Sequence, residues 1–519
     1  MQTIIKSVFV FIIFSILLFF AQELKANTIA KEIRYSLRWD GKSSSIKVKM
    51  VIPTLGLNEL ILTHQPNPFA SYEDRISEFK VLGKAFLKEA KMVDQTKQFI
   101  IDNRNAEDEV EVSYVFDGAN QNDAKTVGLR EALTMHHSPN IKKDFLYLMG
   151  RHFGLYLTNR NTKSPLKVSI QWEEVPHSLI NFNSVGNKSI EESMLEYSLF
   201  SFSKDLKVEK FSVKNIPHYF IGDTVNSNHE KIKKAIVSVT PEVMRFFDDY
   251  DFDSYFFHAI ESKAIPAQDI RMYGRDGILS AEALPNGFVG TYIGSLDLKA
   301  TLTPIHESIH RWINSLDNTN FGHLWFGEGF TEYVTLFTAF SSDFLTPEEF
   351  IHILNEQFSE YYGAYGDLTN EIRSNEYIKN NIRGNQNLMH LNYSKGFVFA
   401  FFLDNQIRLS SNGSETFRDL MVDYINFRKP ILSGKVDVKN LTLESFKNLV
   451  SKYIKRKDID EYIQRYILDG EYIDFKEAQL MKEFTLSIKD EKDRRTGNVN
   501  QVPKFNFTDR ESLKKSYRF

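Results

Sequence analysis

Cysteine is absent from this chain of 519 residues. Its absence excludes disulfide staples, a lipid-modified cysteine, thiolate metal ligands and a cysteine nucleophile, so any metal site has to be built from histidine and carboxylate. A chain of this length buries enough apolar surface to fold without cross-links. A strong charge of either sign is also missing, with a net charge of -4 and a pI near 6.4. That balance offers no basic footprint for a polyanion, and no nucleic-acid partner is expected. No internal repeat is visible. The remaining balance, 42% hydrophobic and 25% charged, is that of a globular chain of about three domains.

What is present begins with an apolar run. "MQTIIKSVFVFIIFSILLFFAQELKANT" has Lys6 as a weak positive start and an almost unbroken apolar stretch from Ser7 to Ala21. Leu24 and Ala26 then offer a cleavage site that would leave Asn27 at the N-terminus. The run is shorter than the about 20 residues that a helix needs to cross a bilayer. It reads as a cleaved signal peptide over 1–26, with the body of the chain exported to a periplasm or secreted. The alternative is an uncleaved anchor over 7–21; otherwise no membrane span is expected in the mature chain.

From about Ala30 to Thr224 short runs alternate, as in "EIRYSLRW", "SIKVKMVIP" and "EVEVSYVF". Period-two alternation broken by polar turns predicts an antiparallel β-rich domain over 27–224, with "EESMLEYSLFSF" as its one candidate helix. Beyond Asn226 the apolar spacing turns helical. Together these predict an α+β multidomain fold: the β-rich N-terminal domain, a mainly helical domain over 225–430, and a small helical C-terminal region over 431–480. The charged, turn-rich residues 481–519 read as a solvated or loosely packed tail.

The chemistry concentrates in "HESIHRWINSLDNTNFGHLWFGEGF" at 306–330. Residues four apart on a helix lie one above the other, so His306 and His310 present two imidazoles to one point. Zinc accepts neutral imidazole readily and is content with four tetrahedral ligands. Glu307, one position round the helix, is angled away from ligation and suits a general base for a metal-activated water. By composition alone the string H-E-x-x-H turns up in roughly one such chain in fifty, so the surroundings have to carry the argument. Leu302, Ile305, Ile309, Trp312 and Ile313 form a buried stripe, with Pro304 tolerable in a first turn or as a kink. A catalytic zinc ion needs a third protein ligand. Glu328, on what reads as a second helix after a short polar loop, is the strongest candidate. Glu332, one turn further, is either a carboxylate holding a ligand imidazole or a surface acid.

These residues carry a family resemblance. H-E-x-x-H followed by a glutamate in "LWFGEGFTEY" resembles the gluzincin metallopeptidases, closest to the glycyl aminopeptidase family and more distantly similar to the aminopeptidase N family. The interval from His310 to Glu328 is one residue shorter than in the aminopeptidase N pattern, which a loop can absorb. The resemblance implies a thermolysin-like catalytic domain holding one zinc ion on His306, His310 and Glu328, with Glu307 as base and a peptide or protein as substrate. It also implies that Tyr393, in "NYSKG" at the start of a helix, donates to the oxyanion of the tetrahedral intermediate. On the residues alone Tyr393 can also be read as a packing tyrosine.

Exopeptidases of the aminopeptidase N type carry a glycine-rich strand with a glutamate for the substrate's free amino group. Here the matching window reads "GRDGILSAEALPNGFVGTYIGS", without that motif, and its one glutamate, Glu282, stands outside the expected setting. Gly287, Phe288, Val289 and Gly290 read instead as part of an edge strand able to take up a peptide backbone. Aminopeptidase and endopeptidase or oligopeptidase action both stay open. So do two readings of another class: a non-catalytic peptide-binding protein on a peptidase scaffold, and a structural envelope protein. His136 and His137 read as surface residues, and His323 and His390 as structural or exposed histidines that flank the site.

Overall fold

A computed structural model describes residues 31–64, 74–94, 96–105, 108–119, 135–160, 166–186, 188–222, 227–261, 277–313, 316, 323–364, 366, 368–382, 385–432, 442–476, 478, 480–492 and 497–517. The expected signal segment 1–26 and its anchor alternative 7–21 lie outside them. The described residues form two compact units, one from Met1–Lys125 and His137–Leu206, the other from Thr126–His136 and Lys207–Phe519.

The first unit is β-rich, as the alternating runs predict. A six-stranded sheet has the order β13 (Ile190–Glu191), β11 (Lys167–Glu174), β1 (Glu32–Arg38), β2 (Ser45–Pro53), β7 (Glu109–Asp117), β4 (Ile76–Leu82). A four-stranded sheet follows the order β10 (Leu155–Leu157), β3 (Glu59–His64), β6 (Thr96–Asp102), β5 (Phe86–Val93), and another the order β12 (Ile180–Asn183), β14 (Leu199–Ser203), β9 (Phe145–Met149), β8 (Asn140–Lys142). The alternation works as period two demands: Ile33, Tyr35 and Leu37 of β1 are buried while their neighbours face outward. Not every pairing is antiparallel, since β1 runs parallel to β11. The one candidate helix divides into a 3-10 stretch, Glu192–Tyr197, and the wholly buried β14.

The second unit opens on a five-stranded mixed sheet in the order β15 (Lys207–Val213), β16 (Ile216–Gly222), β17 (Tyr255–Glu261), β19 (Gly287–Gly294), β18 (Gly277–Leu284). The division between the units falls near Leu206, because β15 and β16 join a sheet that β17, β19 and β18 complete. β16 and β17 are parallel, which requires a crossover, and helix α1 (Ser227–Phe247) supplies it. Ile232, Ala235, Ile236, Val239 and Val243 form its buried stripe.

One expectation is overturned by this topology. Gly287, Phe288, Val289 and Gly290 lie in β19, which is hydrogen-bonded to β17 on one side and β18 on the other. An inner strand has no free ladder to offer a peptide. The glycine at 287 has a different cause, because a Cβ there would sit 2.4 Å from the Phe256 ring. Among the described residues the edge strands of this sheet are β15 and β18, and β18 is the one beside β19.

Helices fill the rest of the unit: α2 (Thr303–Ile309), α3 (Phe330–Ser341), α4 (Gln386–Ser410), α5 (Phe417–Leu432) and, at the end, α6 (Arg510–Ser516). The supposed loose tail is a second correction. It forms a hairpin of β20 (Phe484–Lys492) and β21 (Val499–Phe507) followed by α6, and Phe484, Val502, Phe505, Leu513 and Tyr517 join the main core. Its charges occupy the outward positions of amphipathic strands, so composition hides the apolar face. Arg408 of α4 fixes the end, donating to the Ser516 carbonyl (2.8 Å) and to Asp404 (2.9 Å) while its guanidinium lies over the Tyr517 ring. Asp404 also accepts from the Tyr333 hydroxyl at 2.7 Å, so this buried pair joins α3, α4 and α6. Among the described residues no helix is long and apolar enough to cross a membrane.

Candidate metal centre

α2 carries Pro304 in its first turn, which its fixed backbone angle and missing N–H suit, and Ile305 and Ile309 are buried. His306 lies inside the helix and His310 at its C-cap, still with helical backbone angles. The backbone beyond His310 is tightly held. Arg428 of α5 donates to the Trp312 carbonyl at 2.5 Å, and the Trp312 indole donates to Asp249 at 2.9 Å. A cation on the last carbonyls is the favourable partner for a helix C-terminus.

The second element begins as a wide π turn, Trp325–Gly329, before continuing as α3. Such single wide turns recur at functional sites, and here Glu328 sits within one. Its carboxylate Oε2 lies 3.2 Å from His306 Nε2 and 3.3 Å from His310 Nε2, and the two ring nitrogens are 3.2 Å apart. Glu332 stands one turn later, its Oε1 3.4 Å from His306 Nδ1.

Glycine brings in the fourth side chain. A Cβ on Gly329 would lie 2.3 Å from Gly396 Cα, and one on Gly396 only 1.9 Å from the Trp325 carbonyl oxygen. The π turn and α4 thus meet backbone to backbone. Tyr393, one turn before Gly396, stacks on His306 with ring centroids 6.0 Å apart, and burial, then the nearby Glu328 charge, raises its phenol. It lies in the second turn of α4 rather than at the start of a helix. Lys395, also in the motif, is fully buried and donates to the carbonyls of Arg373 (3.0 Å) and Ile467 (3.2 Å). Burial, then the Arg373 charge, lowers it to about 7. Lys395 anchors α4 and faces away from the cluster's chemistry.

The donor set fits a divalent cation. His310 Nδ1 donates to the Ile313 carbonyl at 3.1 Å, which leaves the Nε2 lone pair directed at the cluster. The charge of Glu332 beside His306 Nδ1 favours the same tautomer there. Two imidazole lone pairs and a carboxylate then converge on one point with no hydrogen between them. A tetrahedral zinc ion with bonds of about 2.0–2.1 Å has edges of about 3.3–3.4 Å, close to the 3.2–3.3 Å found here.

The electrostatics agree. Burial would lower His310, yet the Glu328 charge and hydrogen bond carry it up to about 9. His306 is raised against burial by Glu332 and Glu328, and Glu328 is driven far below the usual carboxylate range despite its own burial, by His310 and His306. The site's field calls for positive charge at its centre, and without a metal only protons can supply it. Glu307 is raised, first by burial, while the two histidines oppose the shift and Glu328 and Glu282 add to it.

Glu282 is the residue that sequence reasoning set aside. It lies on the edge strand β18, opposite Val289, near enough for its charge to reach Glu307. The signal available was its position alone, on the strand just before the two histidines. Elsewhere, His323 is buried and accepts from the Trp325 indole at 3.3 Å, and His390 is exposed with Glu360 3.9 Å away. His136 is not a surface residue: it is fully buried, with Nδ1 3.1 Å from the Thr291 hydroxyl.

No family model matches the chain, and no curated protein matches it in sequence. Its fold is that of an aminopeptidase N family protein from Idiomarina loihiensis, with a TM-score of 0.65 over 88% of this chain and 79% of that one at 14% identity. Yeast LTA4 hydrolase overlaps at a TM-score of 0.47, over 86% of this chain and 68% of its own, at 14% identity. Its complex with bestatin gives 0.46 at 13% identity, covering 87% and 69%. Overlap that loose carries no weight.

The glycine contact yields a first prediction. Gly396→Ala has to push α4 off the π turn, and overpacking of this kind costs about 1–3 kcal/mol. Chemical denaturation should show that loss, together with weaker metal retention as Tyr393 and Glu328 separate. Wild-type stability would contradict the backbone contact.

Proposed function

We propose that this chain is an exported, zinc-dependent peptidase that acts on the free N-terminal end of a peptide. The observation that carries the reading is the convergence of His306, His310 and Glu328 beside a half-buried carboxyl, Glu307, and a phenol, Tyr393. Export rests on the N-terminal segment, and sequencing of the mature protein should read from Asn27.

His306, His310 and Glu328 would hold the zinc ion, which would serve as a Lewis acid to acidify a water and polarise a carbonyl. Glu307 takes the proton of the attacking water, and its raised carboxyl makes it a better base than an ordinary glutamate. The same carboxyl then protonates the departing amine. Tyr393 donates to the oxyanion that forms when the carbonyl is attacked. Glu332 keeps the His306 ring oriented through its Nδ1 side.

The choice between exopeptidase and endopeptidase turns on β18. An extended peptide can add to that open edge through its backbone. Glu282 lies on the same strand and its charge reaches Glu307, so the ammonium of a substrate laid along β18 would pass near a carboxylate close to the base. We read that arrangement as favouring an aminopeptidase over an endopeptidase. The fold shared with an aminopeptidase N family protein accords with it.

Two variants test the reading. Glu307→Gln should keep its metal and lose about 10²–10⁴-fold or more in kcat; turnover at the wild-type rate would remove Glu307 from the mechanism. Wild-type enzyme should cleave a free-amine peptide well ahead of its N-acetylated twin, and Glu282→Gln should erase most of that preference. Equal rates on both peptides in the wild type would show an endopeptidase.

A further inference from the structure

The first unit carries a ribbon, 80–92, with an exposed run of apolar side chains among the described residues. Exposed large hydrophobic side chains are few among the described residues, and four of the eight lie within 82–92: Leu82 (39% exposed), Phe86 (50%), Leu87 (38%) and Met92 (51%). Every residue of β5 from Phe86 to Met92 is exposed, whichever face it points to. A strand normally hides at least one face.

The register shows how the apolar side chains are arranged. Among the described residues β5 pairs with β6 alone, and a bulge between Leu87 and Glu89 shifts the ladder by one. Leu87 faces Ile101, Ala90 faces Phe99 and Met92 faces Lys97, so the bulge keeps Leu87, Ala90 and Met92 on one face. Phe86, opposite Asp102, falls on the other. Four lysines, Lys80, Lys84, Lys88 and Lys91, punctuate the same stretch against only two acids, Glu78 and Glu89. The ion pairs of Lys88 with Glu59 and of Lys91 with Glu89 are solvent-exposed and so weakly held.

We propose that the β4–β5 ribbon docks the protein on an acidic lipid bilayer surface. Apolar groups on both faces suit a medium that surrounds the ribbon, as the headgroup layer does, better than a flat partner that touches one face. Lysines interleaved with apolar side chains complement anionic headgroups and leave the stems in the apolar layer. The alternative of strand addition by a second copy is opposed by features of the strand itself, since a bulge and edge lysines are the devices that block such pairing. The inference is independent of the metal site.

The test is sedimentation of the full chain with vesicles, comparing phosphatidylcholine alone with phosphatidylcholine containing phosphatidylglycerol. The ratio of acidic to neutral binding is the readout, because the uncharged apolar run at 7–21 favours neither. The ratio should be at least tenfold at low salt and fall steeply as salt rises. K80E/K84E/K88E/K91E should bring it to about one. F86S/M92S should weaken acidic-vesicle binding at least fivefold while peptide hydrolysis stays at the wild-type rate. A wild-type ratio near one, or binding indifferent to both variants, overturns the proposal. A concentration-dependent dimer that F86S/M92S abolishes also overturns it, in favour of a self-association face.

Discussion

Three hydrogen-bond acceptors, His306 Nε2, His310 Nε2 and Glu328 Oε2, face one another at 3.2–3.3 Å in a largely buried site. Lone pairs do not gather in this way without a positive charge to share, since the repulsion among them is felt in a low dielectric. A large share of the second unit can be understood as the framework that holds this unfavourable triangle in place. Pro304 sits in the first turn of the helix that carries the histidines and Arg428 binds the carbonyls beyond it. The Gly329–Gly396 contact then seats the third acceptor and the phenol against them.

That framework couples distant parts of the sequence. α4 brings Tyr393 to the cluster at one end and Asp404 and Arg408 to the C-terminal helix at the other. The hairpin and helix after Phe484 thus belong to the same core as the site helices. A cluster of like donors is tolerated only where its surroundings over-determine it, and a core drawn from residues across the whole unit meets that demand.

The site was legible in the sequence to the extent that its chemistry is local. The i, i+4 spacing alone places His306 and His310 together, and the glycine-flanked Glu328 and Tyr393 stand out by their neighbours. What those glycines do was not legible, because a contact between Gly329 and Gly396 depends on two helices crossing. The role of β18 was hidden for a related reason. Strand order within a sheet is a long-range property, so β19, with its bracketing glycines, looked like the edge while β18 held that place. Glu282 was passed over with it. The fold class was readable from periodicity, but the tail was misjudged because charges on the outward positions of β20 and β21 outnumber the buried side chains that matter.

Everything proposed for the site requires the triangle to be a zinc site. Elemental analysis of the purified protein, before and after dialysis against a chelator and for His310→Ala beside the wild type, tests this most directly. The prediction is one zinc per wild-type chain, removed by the chelator, restored on adding zinc, and lost in the variant. A wild-type protein that neither contains nor takes up a stoichiometric metal ion would contradict it.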